Sequence, residues 1–203
     1  MSILQFSGLP EEYEGYELST DFRNMINVEM LMHDESLNTF RRNLMMLQQL
    51  YPVIPEDADK AIKGLLWFFS RGDNEGDGGG AQSGKKPKRS YDFEQDADHI
   101  YASFCAAYGI RLTEVEYMHW WEFLALFNGL PEDTPMRRIM YYRTVDVSKL
   151  SKYEKKHAIE MKKIYALKSR KAKELEHMTI DELNRRTHDY YNKRIKAAMA
   201  NGL

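Results

Sequence analysis

Apolar positions recur at three- and four-residue intervals through most of this chain, the spacing that gathers side chains on one face of an α-helix. The first run follows Ser19-Thr20-Asp21, residues suited to an N-cap, and carries Phe22, Met25, Ile26, Glu29 and Met30 at helical spacing. Asp34 and Ser36 break it and open a second run through Leu37, Phe40, Leu44, Leu47 and Leu50, which Tyr51-Pro52 ends. Pro55-Glu56-Asp57 then supplies a proline and acids to a first turn, where a missing N–H costs nothing and negative charge suits the helix dipole. Ala58, Ile62, Leu65, Leu66 and Phe69 continue that third helix. Ahead of these, the first eighteen residues mix Ile3, Leu4, Phe6, Leu9 and Tyr16 with Gly8, Pro10 and Gly15. They read as a short extended or hairpin-like lead-in lying across a helical body.

The rhythm stops at residues 71–90, RGDNEGDGGGAQSGKKPKRS, which hold six glycines and no large apolar side chain. Such a stretch buries too little surface to offset the entropy of ordering it, so it reads as a flexible linker. Its KKPKR end is read as a solvated charge run, with phosphate binding as the alternative.

Beyond the linker, Asp92 with Gln95, Thr113 with Glu116 and Thr179 with Glu182 each have capping-box spacing and predict three helix starts. After Asp92, the residues Phe93, Ala97, Ile100, Phe104 and Tyr108 share a face up to Gly109, a natural C-cap. After Thr113, Val115, Met118, Trp120, Trp121, Phe123, Leu124, Leu126 and Phe127 predict a helix apolar on nearly every side, the centre of a second lobe. One short helix is expected over 131–143, then two basic amphipathic helices over 148–176 and 180–200. The expected fold class is all-α. Two small helical lobes, residues 1–70 and 91–146, flank the Gly-rich linker 71–90, and a basic amphipathic helical tail occupies 147–203.

Composition adds bounds. Apolar residues make up 43% of the 203, enough for a core, and no window approaches the roughly 18 uninterrupted apolar residues of a membrane span. No membrane role is expected. The start MSILQFSGLPEEYEGYE has no basic n-region and does not read as a secretory signal. The single cysteine, Cys105, excludes an internal disulfide and reads as a buried thiol in a reducing cytoplasm. The net charge of −2 conceals an uneven layout: residues 144–203 carry 15 basic and 8 acidic residues, and everything before them is about −9. That asymmetry points the tail toward an acidic surface, whether its own domain, a protein partner or nucleic acid.

Candidate chemistry is thin. Asp96 with His99 and Glu116 with His119 repeat the acid-x-x-His spacing of di-iron carboxylate bundles, and Glu122 extends the second face. Glu116 already has a capping role and no lone-Glu helix separates the two motifs, so capping plus a polar helix face is the preferred reading. His33, His157, His177 and His188 lack metal-ligand spacing, and no nucleophile-elbow, Walker or dinucleotide motif occurs. No enzyme activity, cofactor or metal is expected. Trp67, Trp120 and Trp121 read as core rather than as stacking platforms for bases. Met25, Met30, Met32, Met45 and Met46 read as core, with an adaptable Met-rich binding face as the alternative. Arg143 is either a buried anchor, paired with Asp146 or with an acid of an earlier helix, or an exposed arginine.

The segments YDFEQDADHIYASFCAAYGIRL, YMHWWEFLALFNGLPEDT and RTVDVSKLSKYEKK, with STDFRNMINVEMLMHD near the start, resemble the bacteriophage "gene product fifteen" family of long-tailed phages and prophages. The resemblance spans about residues 1–165 and is interrupted at the linker; His119-Trp120-Trp121 is its most distinctive part. It implies a small protein of the tail module, in the host bacterial cytoplasm, of the kind usually assigned as a tail-assembly chaperone acting with the tape-measure protein. It brings no catalytic residues. The partners it implies are the tape-measure protein, then the major tail protein; self-association is a further candidate. A structural virion component at a tail or head-tail joint is the alternative function, and DNA binding through the basic helices ranks below it. The expected contact surface joins the Met/Leu faces of residues 25–50 to the basic helices after Lys149, through Met25, Met30, Leu44, Leu47, Arg143, Tyr153, Met161 and Tyr190.

Overall fold

A computed structural model describes residues 8–72, 89–168, 179–182, 185, 188 and 189. The chain divides into two compact units, Met1–Tyr165 and Ala166–Leu203.

The first unit opens with a two-residue-per-strand hairpin, β1 (Glu12–Tyr13) and β2 (Tyr16–Glu17), paired antiparallel with Glu12 opposite Glu17 and Tyr13 opposite Tyr16. Its turn places Glu14 and Gly15 at φ of 49° and 84°, the left-handed conformation that glycine adopts without penalty. Of the extended and hairpin-like forms expected for the lead-in, residues 12–17 take the hairpin, and residues 1–7 lie outside the described residues.

Helices α1 (Phe22–Met32), α2 (Thr39–Leu50) and α3 (Ala58–Phe69) follow. Each begins where a side-chain oxygen accepts an otherwise orphaned backbone N–H: Asp21 from Arg23, Asn38 from Arg41, Asp57 from Lys60. Asp34 does break the chain after α1, taking the Ser36 N–H into a local turn. Helix α4 (Ala97–Tyr108) ends on Gly109 at φ 66°, the C-cap its sequence promised. Its start differs from expectation. Asp92 accepts from the Glu94 and Gln95 N–H groups, but the residue reaching back to the Asp92 N–H is Asp96, and the helix begins only at Ala97.

Helix α5 (Trp120–Asn128) starts seven residues after Thr113 rather than at it. Residues 113–118 are irregular because the body claims their backbone: Met118 C=O accepts from the Phe22 N–H, the Trp120 N–H donates to Thr20 C=O, and Arg23 Nη2 donates to the carbonyls of Leu112 and Val115. Tertiary hydrogen bonds replace the helical turn that local spacing favoured. Helix α6 (Pro135–Thr144) follows with proline in its first turn, then a single 3-10 turn at Val147–Lys149 and helix α7 (Lys152–Ile164). Helix α7 is bounded by a complete capping box between Ser151 and Glu154, and it stops at Tyr165, well short of the expected residue 176.

One core replaces the two expected lobes. Phe123 of α5 lies at its centre, with ring centroids 4.8 Å from Phe22, 5.2 Å from Phe104, 5.7 Å from Trp120 and about 6 Å from Phe93 and Phe127. The indoles of Trp120 and Trp121 donate to the carbonyls of Phe69 and Phe68 at the end of α3. Residues on both sides of the Gly-rich stretch thus build a single aromatic interior, because α5 is apolar all round and needs cover from both directions. The expected linker itself falls largely outside the described residues. In the second unit, Thr179 and Glu182 form the capping box expected of them; most of the remainder of the expected basic tail helices, Tyr190 included, lies outside the described residues.

Candidate interaction surfaces

His119 is the joint between the lead-in and the helical body. It caps α5, its Nδ1 accepting from the Trp121 N–H at 3.1 Å, while Nε2 lies 3.1 Å from Pro10 C=O. That pairing fits the tautomer with the proton on Nε2. Burial pushes its pKa below the usual histidine value, against the Pro10 carbonyl and the carboxylates of Glu122 and Glu11. Beside it, Gly8, Leu9, Glu11, Tyr117 and Glu122 line a shallow groove open to solvent.

The two acid-x-x-His pairs are not brought together. Asp96 is buried and held by Arg143, Glu116 is exposed on irregular chain, and both His119 nitrogens have protein partners. Among the described residues, no group of three or more His, Cys, Asp or Glu is arranged to hold a metal ion.

Arg143 is the buried anchor, and its acid comes from the earlier segment: Nη2 reaches Asp96 Oδ1 at 2.8 Å and Nη1 reaches Oδ2 at 2.5 Å, with Nη1 and Nε also donating to the carbonyls of Ser90 and Tyr165. Asp146, the other candidate, accepts from Ser148 instead. Arg143 is therefore a structural tie and leaves the expected contact surface. Met25 and Leu47 leave it too, as both are buried in the core. Met30 and Leu44 are each 38% exposed and Tyr153 is 89% exposed, so these remain available, and Met161 is half-buried. The five methionines divide accordingly: Met25 and Met46 are core, Met30 and Met45 are exposed, and Met32 packs against the core edge. Trp120 and Trp121 are core as expected, and Trp67 packs half-buried against Tyr13 and Trp121. Cys105 is a free, half-buried thiol rather than a fully buried one.

Two residues that the spacing placed in the helical runs have the burial opposite to their type. Phe40 has the right period for a core position, yet it is 79% exposed at the first turn of α2, with Leu44 one turn on. Glu29 is the reverse, a carboxylate 5% exposed on the apolar face of α1. Burial, the leading cause, raises its pKa to about 7, opposed by Arg89, whose Nη2 stands 3.8 Å away, and assisted by Asp92. Glu29 Oε2 and Arg89 Nε are both buried without a hydrogen-bond partner. The spacing that grouped Glu29 with Phe22 and Met25, seven and four residues away, already put it on the core-facing side of α1.

No described helix is long and apolar enough to cross a membrane. Neither the curated proteins nor the solved structures contain a match to this chain. A family model does match, over residues 8–167, the stretch that holds the hairpin, the aromatic core, the Asp96–Arg143 tie and α7. On that match, which covers most of the chain, the protein belongs to the family described as Bacteriophage Gp15 protein.

Proposed function

We propose that this phage protein is a tail-assembly chaperone that binds the tape-measure protein, or the tail-tube subunits, and keeps them competent for polymerisation. The observation that carries this reading is the exposed apolar flank of α2, Phe40 and Leu44, with Met30 of α1 and Met45 of α2 also open to solvent. Large apolar side chains left exposed on a helix mark docking positions for another chain, and an i, i+4 pair suits an amphipathic helix as guest. Methionines beside them adapt to guests of varied shape. A tape-measure protein is a long helical chain that exposes such faces before it is packaged.

The test is co-expression with the tape-measure protein of the same phage, followed by affinity capture and measurement of the partner's soluble fraction. The chaperone reading expects a soluble, co-purifying tape measure, and loss of both effects on Phe40→Asp with Leu44→Asp. A tape measure that stays insoluble and unbound, with this chain detected in purified particles, replaces that reading with a structural virion component.

A further inference from the structure

Helix α7 carries an exposed face with a definite chemistry. Lys152, Lys155, Lys156, Ile159 and Lys163 recur at the three- and four-residue spacing that sets them side by side along one face, and all five are exposed. None of those four lysines has an acidic partner among the described residues, whereas Lys162, on the side turned to the body, donates to Val145 C=O. Ile159 lies in the middle, 38% exposed, an apolar centre with a basic rim.

The complement is present in the same unit. Glu12 and Glu17 stand directly opposite each other across the hairpin, both exposed, so their carboxylates emerge on one face of the ribbon. Like charges in that position repel. The third hairpin carboxylate, Glu14, is answered by Lys60 at 2.9 Å, but Glu12 and Glu17 have no basic partner among the described residues. The hairpin packs against α3 through Tyr13 and Trp67, while α7 packs against α6, so the two patches belong to different parts of the unit.

We propose that the basic face of α7 docks on the Glu12–Glu17 hairpin of a second copy of this chain. A lysine ammonium between the two carboxylates removes a repulsion that the isolated chain retains, and Ile159 excludes water from the centre of the contact. Where both copies pair reciprocally the contact closes as a twofold dimer; where they do not it is head-to-tail, and repetition yields a ring or a filament.

The experiment is sedimentation velocity on the full chain at low and high salt. The expected result is association at low salt that salt reverses, since exposed ion pairs are screened. Lys155→Glu with Lys156→Glu, and separately Glu12→Lys with Glu17→Lys, each weaken it by at least about tenfold. Mixing the two variants restores association, because each then presents the charge the other lacks; circular dichroism checks that both are folded. A monomer at low salt, association indifferent to both reversals, or failure of the mixture to re-associate overturns the proposal. So does an α7 variant that sediments like the unmodified chain but loses retention by a short DNA duplex, which would make the face a phosphate-binding surface.

Discussion

Arg143 and Asp96 are 47 residues apart in sequence and meet as a two-pronged ion pair with side chains only 4% and 2% exposed. Because Asp96 also accepts the Asp92 N–H, and Arg143 also holds the carbonyls of Ser90 and Tyr165, the pair fastens the start of α4 and the end of α7 to α6.

Removing one partner strands the other charge in the core. Arg143→Ala is expected to destabilise the fold by about 3–5 kcal/mol, and Arg143→Lys by a substantial part of that, since an ammonium cannot reproduce the fork. The double replacement Arg143→Met with Asp96→Leu is expected to cost less than Arg143→Ala alone. Urea unfolding of the three variants checks the order.

Glu29 gives a pH dependence of definite sign. Its folded pKa of about 7 stands above the ordinary glutamate value of 4.5, so the folded state holds the proton more tightly. Its contribution is complete below pH 4.5 and is lost as pH rises to about 7, an effect on the order of 3 kcal/mol. Glu29→Gln is therefore expected to match the unmodified chain in mild acid and to exceed it in stability above neutrality. Neighbouring His33, depressed by burial and by Arg89, stands 3.9 Å from Glu29 and acts in the opposite sense, so the difference between the two melting curves reports the Glu29–His33 pair.

His119 has the reverse sign. Its pKa is lowered, and protonation would fill the Nδ1 lone pair that accepts from Trp121. Its contribution is present above pH 6.5 and lost as pH falls through the folded pKa. His119→Asn, which keeps a capping oxygen and cannot titrate, is expected to lose less stability than the unmodified chain between about pH 8 and about pH 5. Thermal melts at the two pH values decide it.

Gly64 has no room for a methyl group. A Cβ there would strike Tyr51 Oη and come within 2.6 Å of Tyr13 Cδ1. Gly64→Ala is expected to cost about 1–3 kcal/mol despite alanine's better helix propensity. Tyr51→Phe in addition relieves one of the two collisions at the loss of the bond to Ala61 C=O, so it should recover only part. Chemical denaturation of both variants gives the comparison.

Local chemistry wrote the helix starts plainly where a cap and a periodic run coincide: Asp21 and Thr179 cap or box as their spacing implies, whereas Asp57, expected inside a first turn with Pro55, is instead the N-cap and α3 begins after it. The same rule misled at Thr113, where Phe22 and Arg23, some ninety residues earlier, bind the backbone that a helix would have used. The division into lobes failed for a related reason. A run of glycines is a local fact, whereas the packing of Phe123 on Phe22 is settled by how much apolar surface α5 must cover. Phe40 and Glu29 show the limit of periodicity for finding surfaces, since spacing gives a face and not what lies opposite it.

The distribution of the core along the chain also sets a schedule for synthesis. Phe22 and Phe68 find their covering partners, Phe123 and Trp121, only in α5, so the first half of the chain leaves the ribosome with its apolar faces uncovered. Until residue 128 has been made and released from the exit tunnel, the aromatic faces that Phe22 and Phe68 present have none of the α5 side chains that later cover them.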